Sequence, residues 1–311
     1  MAVPVAMNAA QLVVVGEVYL DHIFSGFERW PAPGEEALAR HYKRELGGGT
    51  IITACALAQL GCNVRVLGAI GAQDRPLFEQ RLGEFGVSAD GLIDSTAGTG
   101  VTTSVSLHDD RSFFTYIGAN AELSALLLRE DIIDTLSAAT HVHFAMPLPA
   151  ALAATLLPLL ARAGCTTSLD VGFSPAWLTD PANHATCRAV TWFLPNQKEA
   201  ALMDCGDGAD ACLAWARALG LRQTVIKLGA SGAMVVDDAG ARLIAAPAVQ
   251  VRDTTGAGDA FDAGFIAAYM HGQPLDACAQ QGCLSGAACC SALGALDGLF
   301  QLFPPTHEDV P

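Results

Sequence analysis

The sequence predicts an α/β fold in which a doubly wound, mostly parallel sheet is flanked by helices and carries a small β-sheet lid. The first observation is the repeated alternation of apolar runs with helical segments, which is typical of parallel strands joined by crossover helices. The second is a pair of β-type stretches, 24–46 and 97–117, that interrupt this alternation. A third is size, because 311 residues with 51% hydrophobic side chains suffice for one large core.

Composition and charge exclude several classes of protein. A net charge of −15 argues against nucleic acid or an anionic membrane as a partner, because both require a basic face. No apolar run reaches the ~20 residues needed to cross a bilayer, and the start of the chain lacks the basic region of a secretory signal. The 10 cysteines include no Cys-x-x-Cys pair, so they fit neither a zinc site nor a disulfide framework. We therefore expect a soluble cytoplasmic protein.

The first half of the chain alternates strands and helices and contains both lid stretches. Gln11 to Gly16 is a continuous apolar run that ends in glycine, as expected of a central parallel strand. Asp21 lies beyond its carboxyl end, where open α/β sheets bind ligands, although capping a turn is an alternative role. Gly47 to Thr50 opens a predicted helix, at whose start a substrate can approach the backbone. The other predicted elements are the rest of that helix (51–60), a strand (64–70), a helix (78–85) and a hairpin of 101–107 with 112–117 that turns at Asp109 and Asp110.

Polar residues mark three strand ends or helix starts in the middle of the chain. His141 and His143 lie on one face of a strand, and without a third ligand two structural histidines are favoured over a metal pair. Asp170 ends another apolar strand and is a candidate for binding substrate or metal. Asn196 and Glu199 lie on the first turn of a helix and project to one side. The alternative there is an ordinary helix start at which Glu199 favours the helix dipole.

The stretch Asp253-Thr254-Thr255-Gly256-Ala257-Gly258-Asp259-Ala260-Phe261 is predicted to link a strand over 242–251 to a helix over 260–270, and a last helix is predicted from Asp276 to Leu293. A helix start presents N–H groups without partners, and the small residues 256–258 let an anion approach them. Asp259 places a carboxylate beside this anion site, which is costly unless the carboxylate accepts a proton. The combination indicates phosphoryl transfer to a hydroxyl. A glycine-rich turn capped by an aspartate is the alternative.

These nine residues and the apolar helix after them resemble the C-terminal signature of the ribokinase-like (PfkB) carbohydrate kinase family. Asn196 to Glu199 is similar to the family's Asn-x-x-Glu motif, and Gly47 to Thr50 resembles its glycine motif. The resemblance extends from Val13 to Thr306. It implies a core of 11–23, 47–96 and 118–311 and a lid of 24–46 and 97–117, and the family's lid often forms the contact of a homodimer.

The resemblance also implies roles for individual residues. Asp259 would be the general base, the N–H groups of Gly256, Ala257 and Gly258 would hold the phosphoryl group transferred from ATP, and Asp21 would bind two acceptor hydroxyls. The substrate would also contact Gly48, Gly49 and Asn120. The nucleotide would contact Asn196, Lys227, Gly229, Gly232 and Thr254. Glu199 would bind Mg²⁺ through water, and Asp253 would bind a monovalent cation, K⁺.

One position departs from the family pattern. Alignment on Leu60 and Gly61 places Ile52 where the family has an asparagine that touches the sugar. This departure weakens the case for ribose-like recognition, and Thr50 or Thr53 would have to compensate for it.

We interpret the sequence as an ATP-dependent kinase of a small sugar or related polyol, with a nucleoside kinase as the nearest alternative. A dinucleotide-dependent oxidoreductase is disfavoured because no Gly-x-Gly-x-x-Gly follows the first strand. A non-catalytic ligand sensor on the same fold is disfavoured because it has no use for Asp259.

Overall fold

The computed structural model describes residues 11–107 and 110–302 of the chain. Its strands are β1 (Gln11–Gly16), β2 (Tyr19–Ser25), β3 (His41–Gly47), β4 (Asn63–Gly71), β5 (Leu92–Ser95), β6 (Gly100–Leu107), β7 (Asp110–Tyr116), β8 (His141–Ala145), β9 (Thr166–Asp170), β10 (Trp192–Phe193), β11 (Thr224–Lys227), β12 (Ala233–Asp237) and β13 (Gly240–Ile244). Its α-helices are α1 (Gly49–Gln59), α2 (Arg75–Gly83), α3 (Leu123–Leu126), α4 (Glu130–Ser137), α5 (Ala150–Arg162), α6 (Pro175–Leu178), α7 (His184–Ala189), α8 (Gln197–Leu202), α9 (Ala209–Leu219), α10 (Ala257–Met270), α11 (Leu275–Cys289) and α12 (Ala295–Leu299). Within these ranges no helix has the length and apolar character that a membrane span requires.

The main sheet has the strand order β13-β12-β11-β10-β9-β8-β1-β4-β5. Neighbouring strands are parallel from β5 through β11, and β12 pairs antiparallel with both β11 and β13. Both faces of β1 are buried, because Val14 packs in one hydrophobic cluster and Val13 and Val15 pack in the other. The predicted doubly wound, mostly parallel sheet between helices is therefore confirmed.

The parallel strands gather polar residues at one edge of the sheet. Gly16 at the end of β1 pairs with Ala145 of β8, which in turn pairs with Asp170 at the end of β9. Lys227 ends β11 on the same side. Open parallel sheets bind their ligands at this edge, so the fold brings the predicted site residues from distant parts of the sequence to one place.

The lid is a separate four-stranded sheet with the order β3-β2-β6-β7. The hairpin of β6 and β7 is as predicted, although Asp109 in its turn lies outside the described residues. The boundary of the lid differs from the predicted one, since β2 pairs with β3 from Tyr19 to Ser25 and with β6 from Tyr19 to Phe24. Residues 19–23 are thus lid rather than core, because their backbone hydrogen bonds go to lid strands.

Two predicted elements near the C-terminal signature are wrong in extent. The strand predicted over 242–251 ends at Ile244, because its partner β12 begins at Ala233, which pairs with Ile244. The irregular segment that follows contains Pro247, which has no N–H group for a strand ladder. The helix predicted to run from Asp276 to Leu293 ends at Cys289, and the short α12 follows it.

Candidate active site

The anion loop, residues 253–258, leads directly into α10. Gly256 caps the helix in the left-handed conformation with φ 76°. The N–H groups of Gly256 and Gly258 have no acceptor among the described residues, whereas the N–H of Ala257 donates to the carbonyl of Thr254 at 3.3 Å. The structure therefore corrects the predicted trio of donors: Gly256 and Gly258 are open to an anion, and Ala257 is engaged within the loop.

The side chain of Asp253 holds the anion loop in place. Its two carboxylate oxygens accept the N–H of Thr255 at 2.9 Å and the N–H of Gly294 at 3.0 Å. Asp253 therefore connects the loop before α10 to the loop that precedes α12. This is a structural function, and a role in binding a monovalent cation remains a prediction.

The glycines at and just before the start of α1 allow two carboxylates to lie close to the backbone. A Cβ atom at Gly47 would lie 2.2 Å from Oδ2 of Asp21, and one at Gly49 would lie 2.9 Å from Oδ1 of Asp259. Any larger residue at either position would displace the carboxylate. The glycine run thus packs the start of α1 against the start of α10 and brings Asp21 and Asp259 close together, and their roles in a common site remain predictions.

The environment changes the protonation of both carboxylates. Burial raises the pKa of Asp259 to about 6, with the charge of Asp170 adding to the rise and that of Lys227 opposing it. Burial also raises the pKa of Asp21 to about 7, and the carboxylates of Asp259 and Glu45 add to this rise. Groups with such pKa values exchange protons near neutral pH, which is what a general base requires.

Asp21 faces a cleft between the lid and the anion loop, which we call the acceptor cleft. Lid strands supply both hydroxyl groups and apolar side chains to its wall, and the anion loop supplies the opposite side. The lining residues are Asp21, Ile23, Thr102, Ser104, Phe113, Asp253 and Thr255.

Asn120 lies outside this cleft, contrary to its predicted contact with substrate. Its side chain accepts a hydrogen bond from the N–H of Val18 at 2.9 Å and donates to the carbonyls of Val18 and Ile117 at 2.8 and 3.1 Å. Both N–H donors of the amide are used, and the residue is buried. Asn120 therefore stabilises the connection from β1 to β2, and β2 is the strand that carries Asp21.

Ile52 and the two threonines proposed to compensate for the missing asparagine, Thr50 and Thr53, are also buried. The side chain of Ile52 packs against Gly256, with Cγ2 3.1 Å from the position of a Cβ there. Thr50 is buried without a hydrogen-bond partner, and the Thr53 hydroxyl donates to the backbone carbonyl of Asp259 at 3.3 Å. Neither threonine is among the residues that line the acceptor cleft, and compensation for Ile52 by either one remains a prediction.

Asn196 and Glu199 form a reciprocal cap at the start of α8. The Asn196 side chain accepts the N–H of Glu199 at 3.0 Å, and Glu199 accepts the N–H of Asn196 at 2.8 Å and its side-chain amide. Glu199 is buried, and burial together with the charge of Asp170 raises its pKa to about 7. The helix-start alternative is thus present, and contacts with phosphate and Mg²⁺ remain predictions.

Lys227 cannot serve the nucleotide in this arrangement. Its ammonium group donates to Asp170 at 2.7 Å and to both carboxylate oxygens of Asp262 at 3.1 and 3.0 Å, and the side chain is buried. The predicted nucleotide contact of Lys227 is therefore corrected. Of the other residues assigned to the nucleotide, Thr254 and Gly229 are exposed, while Gly232 closes the turn that begins at Gly229.

Comparison with known proteins decides the family. The model of the pfkB family of carbohydrate kinases matches residues 9–300. The chain belongs to this family. This pfkB kinase is 26% identical to the ribokinase of Haemophilus influenzae in a 309-residue alignment that covers 96% of each chain.

Solved structures of the same fold support the architecture of this pfkB kinase. Arabidopsis thaliana ribokinase complexed with ribose and ATP superposes with a TM-score of 0.83 at 24% identity, covering 96% of this chain and 100% of that one. Burkholderia thailandensis nucleoside kinase in complex with inosine superposes with a TM-score of 0.72 at 22% identity, covering 94% and 98%. The family match and the ribokinase relatives identify the pfkB kinase as a phosphotransferase with an alcohol group as acceptor.

Two further features of the pfkB kinase bear on its sequence interpretation. His141 and His143 share the hydroxyl of Ser168, at 2.8 Å from each, in the buried sheet, so the structural interpretation of these histidines is favoured.

Sequence reasoning missed Asp262, which lies one turn after Asp259 and is fully buried beside Lys227. A carboxylate within an otherwise apolar helix is the signal that could have found it.

Proposed function

We propose that this kinase transfers the γ-phosphoryl group of ATP to a hydroxyl of a small sugar or related polyol, with Asp259 as the general base. The observation that supports this proposal is that Asp259 lies in the first turn of α10, directly after Gly256 and Gly258, whose N–H groups have no acceptor among the described residues. The carboxylate would remove the proton of the attacking hydroxyl, and the N–H groups would stabilise charge on the transferred group.

Asp21 would position the acceptor. It projects from the lid strand β2 into the acceptor cleft, where Thr102 and Ser104 offer hydroxyl groups. A carboxylate can accept hydrogen bonds from two neighbouring hydroxyls at once. Holding the acceptor in this way converts the transfer into a reaction between positioned groups, which is how phosphoryl transfer enzymes gain most of their rate.

The nucleotide side of the site fits a magnesium ion that arrives with ATP. Bound Mg²⁺ would neutralise charge on the phosphate oxygens. Among the described residues no three His, Cys, Asp or Glu side chains gather into a metal cage, which suits an ion held mainly by phosphate and water. Each oxygen of Glu199 accepts one hydrogen bond, which leaves lone pairs for a metal-bound water. Asn196, Thr254, Gly229 and Gly232 would contact the nucleotide.

Asp253 would contribute to a site for a monovalent cation, because its carboxylate joins the two loops at residues 253–255 and 294. We expect turnover to increase when K⁺ replaces tetramethylammonium at constant ionic strength. Equal turnover in the two salts would contradict a cation site.

A nucleoside is the second candidate acceptor. The acceptor cleft includes Phe113, a largely exposed aromatic ring, and the apolar side chain of Ile23. An aromatic ring can stack on a nucleobase, and Phe113 supplies such a ring to the cleft.

The lid also supports a proposal about assembly. Its exposed aromatic side chains include Trp30 and Phe114, which stack with ring centroids 6.2 Å apart, and Tyr116. Exposed apolar surface of this kind marks association sites. We propose a homodimer through the lid, and Phe114→Glu should convert a dimer to a monomer in light scattering. A monomeric wild-type protein would contradict it.

The function is tested by release of ADP from ATP with a panel of sugars, polyols and nucleosides. We expect turnover with at least one neutral polyhydroxy acceptor, and ³¹P NMR of the product identifies the phosphorylated hydroxyl. Turnover with nucleosides alone would favour the second candidate, and no turnover across the panel would contradict both. A cytoplasmic location stays a prediction, which cell fractionation checks.

A further inference from the structure

A buried cluster of three ionisable side chains lies beneath the start of α10. The ammonium of Lys227 is 2.7 Å from Oδ2 of Asp170 and 3.0 Å from Oδ2 of Asp262. The three residues come from β11, β9 and α10, and Asp262 has no exposed surface. The cluster therefore connects two strand ends of the main sheet to the helix that carries Asp259.

Stability alone does not explain this cluster. Removing charges from water costs several kcal/mol per ion, and apolar replacements of buried ion pairs are often neutral or stabilising. Burial opposes the charge of Lys227, yet the carboxylates of Asp170 and Asp262 raise its pKa above the ordinary value, so the lysine stays charged. A charged lysine kept in a buried place indicates a function for the charge.

The position of the ammonium indicates what that function is. Nζ of Lys227 lies 3.5 Å from the position of a Cβ at Gly258, the residue that precedes Asp259 and offers an open N–H. Asp262 is one helical turn from Asp259. The groups whose charge acts on Asp259 are the carboxyls of Asp21, Asp170, Glu199 and Asp262, the Cys289 thiol and the Lys227 ammonium. Of these groups only Lys227 is positive.

We propose that Lys227 is a positioning residue whose ammonium, held by Asp170 and Asp262 beneath Gly258, keeps the carboxylate of Asp259 charged at neutral pH. Without this cation the neighbouring carboxyls would favour the protonated acid, which cannot accept a proton from the acceptor. The proposal rests on the proposed role of Asp259 as base. It is consistent with the lowering effect of Lys227 on the pKa of Asp259, which burial raises to about 6.

The direct test is the titration of Asp259 in protein labelled with ¹³C at the aspartate carboxyls, with the resonance assigned by its absence from Asp259→Asn. In Lys227→Met we expect the midpoint to rise by at least about 1 pH unit, the lower range for loss of an adjacent opposite charge. Asp262→Asn is the matched control, because it removes a carboxyl of the cluster but leaves the cation. Because Asp262 is one of the carboxyls that act on Asp259, its removal should leave the Asp259 midpoint at or below that of the wild type.

Kinetics supply a second readout. In Lys227→Met the acidic limb of kcat should move to higher pH by the same amount, with KM for the acceptor unchanged, and Lys227→Arg should restore part of the shift. A purely structural cross-link predicts lower thermal stability without a moved pH profile. If Lys227→Met does not fold, Lys227→Gln removes the cation while its amide can still donate hydrogen bonds to the two carboxyls, and it should show the same rise.

An unchanged Asp259 midpoint in a folded Lys227 variant would overturn the inference and leave the proposed function intact. Absence of ADP release by the wild type with every acceptor would overturn the proposed function. In that case the NMR titration still decides whether Lys227 controls the charge of Asp259.

Discussion

Replacing Gly49 with alanine tests the packing that brings Asp259 to the acceptor. The new Cβ would lie 2.9 Å from Oδ1 of Asp259 and 3.1 Å from Cβ of Ala145. The carboxylate must then retreat by a few tenths of an ångström to reach an ordinary contact distance of about 3.5 Å. Because a misplacement of about 1 Å can cost roughly 10²-fold in rate, we expect kcat to fall roughly 10-fold.

Folding should be preserved in this variant, because the displaced atoms end a side chain that can rotate. Alanine is also favoured over glycine within a helix by roughly 0.5–1 kcal/mol. The assay is steady-state ADP release, with urea denaturation to confirm the fold. The matched control is Gly83→Ala in α2, where a Cβ meets no described atom within 4 Å. Wild-type kcat in Gly49→Ala would refute the close approach of Asp259 to α1.

Two further predictions concern stability and the scaffold. Because the pKa values of Asp259 and Asp21 are raised to about 6 and about 7, the folded state binds more protons than the unfolded chain between the ordinary aspartate pKa and pH 7. The contribution of these two groups to the free energy of unfolding should therefore be largest at low pH and decrease as pH rises through 7. Urea titrations of Asp259→Asn should show a flatter pH dependence than those of the wild type. A wild-type free energy of unfolding that increased over this pH range would contradict the raised pKa values. Asn120→Ala leaves the N–H of Val18 without its partner and should reduce the free energy of unfolding by about 1–3 kcal/mol. KM for the acceptor should be nearly unchanged. A large rise in KM without loss of stability would show that Asn120 contacts the substrate.

Local patterns were sufficient to predict most of the fold. The apolar run at Gln11 to Gly16 forms a strand of the predicted length, because burial of both faces requires a continuous apolar sequence. The start of the lid was not predictable in this way. Residues 19–23 have no local feature that separates them from the preceding core strand, and their pairing with β3 and β6 depends on residues far along the chain.

The candidate site shows the same division between local and tertiary information. Asp259 and the open N–H groups of Gly256 and Gly258 follow from a helix start after a glycine-rich loop. The contact of Lys227 with Asp262 does not, because it requires β11 and α10 to pack together. For Asn120 the local motif predicted a contact with the substrate, whereas in the structure its amide forms hydrogen bonds with the surrounding backbone.

The central claim is that Asp259 accepts the proton of the attacking hydroxyl, and its most direct test is single-turnover phosphoryl transfer by Asp259→Asn with the best acceptor from the panel. We expect the rate to fall by at least roughly 10²-fold, while the amide keeps nearly the same shape and ATP still binds. A rate close to that of the wild type would show that another group removes the proton, and would contradict the account.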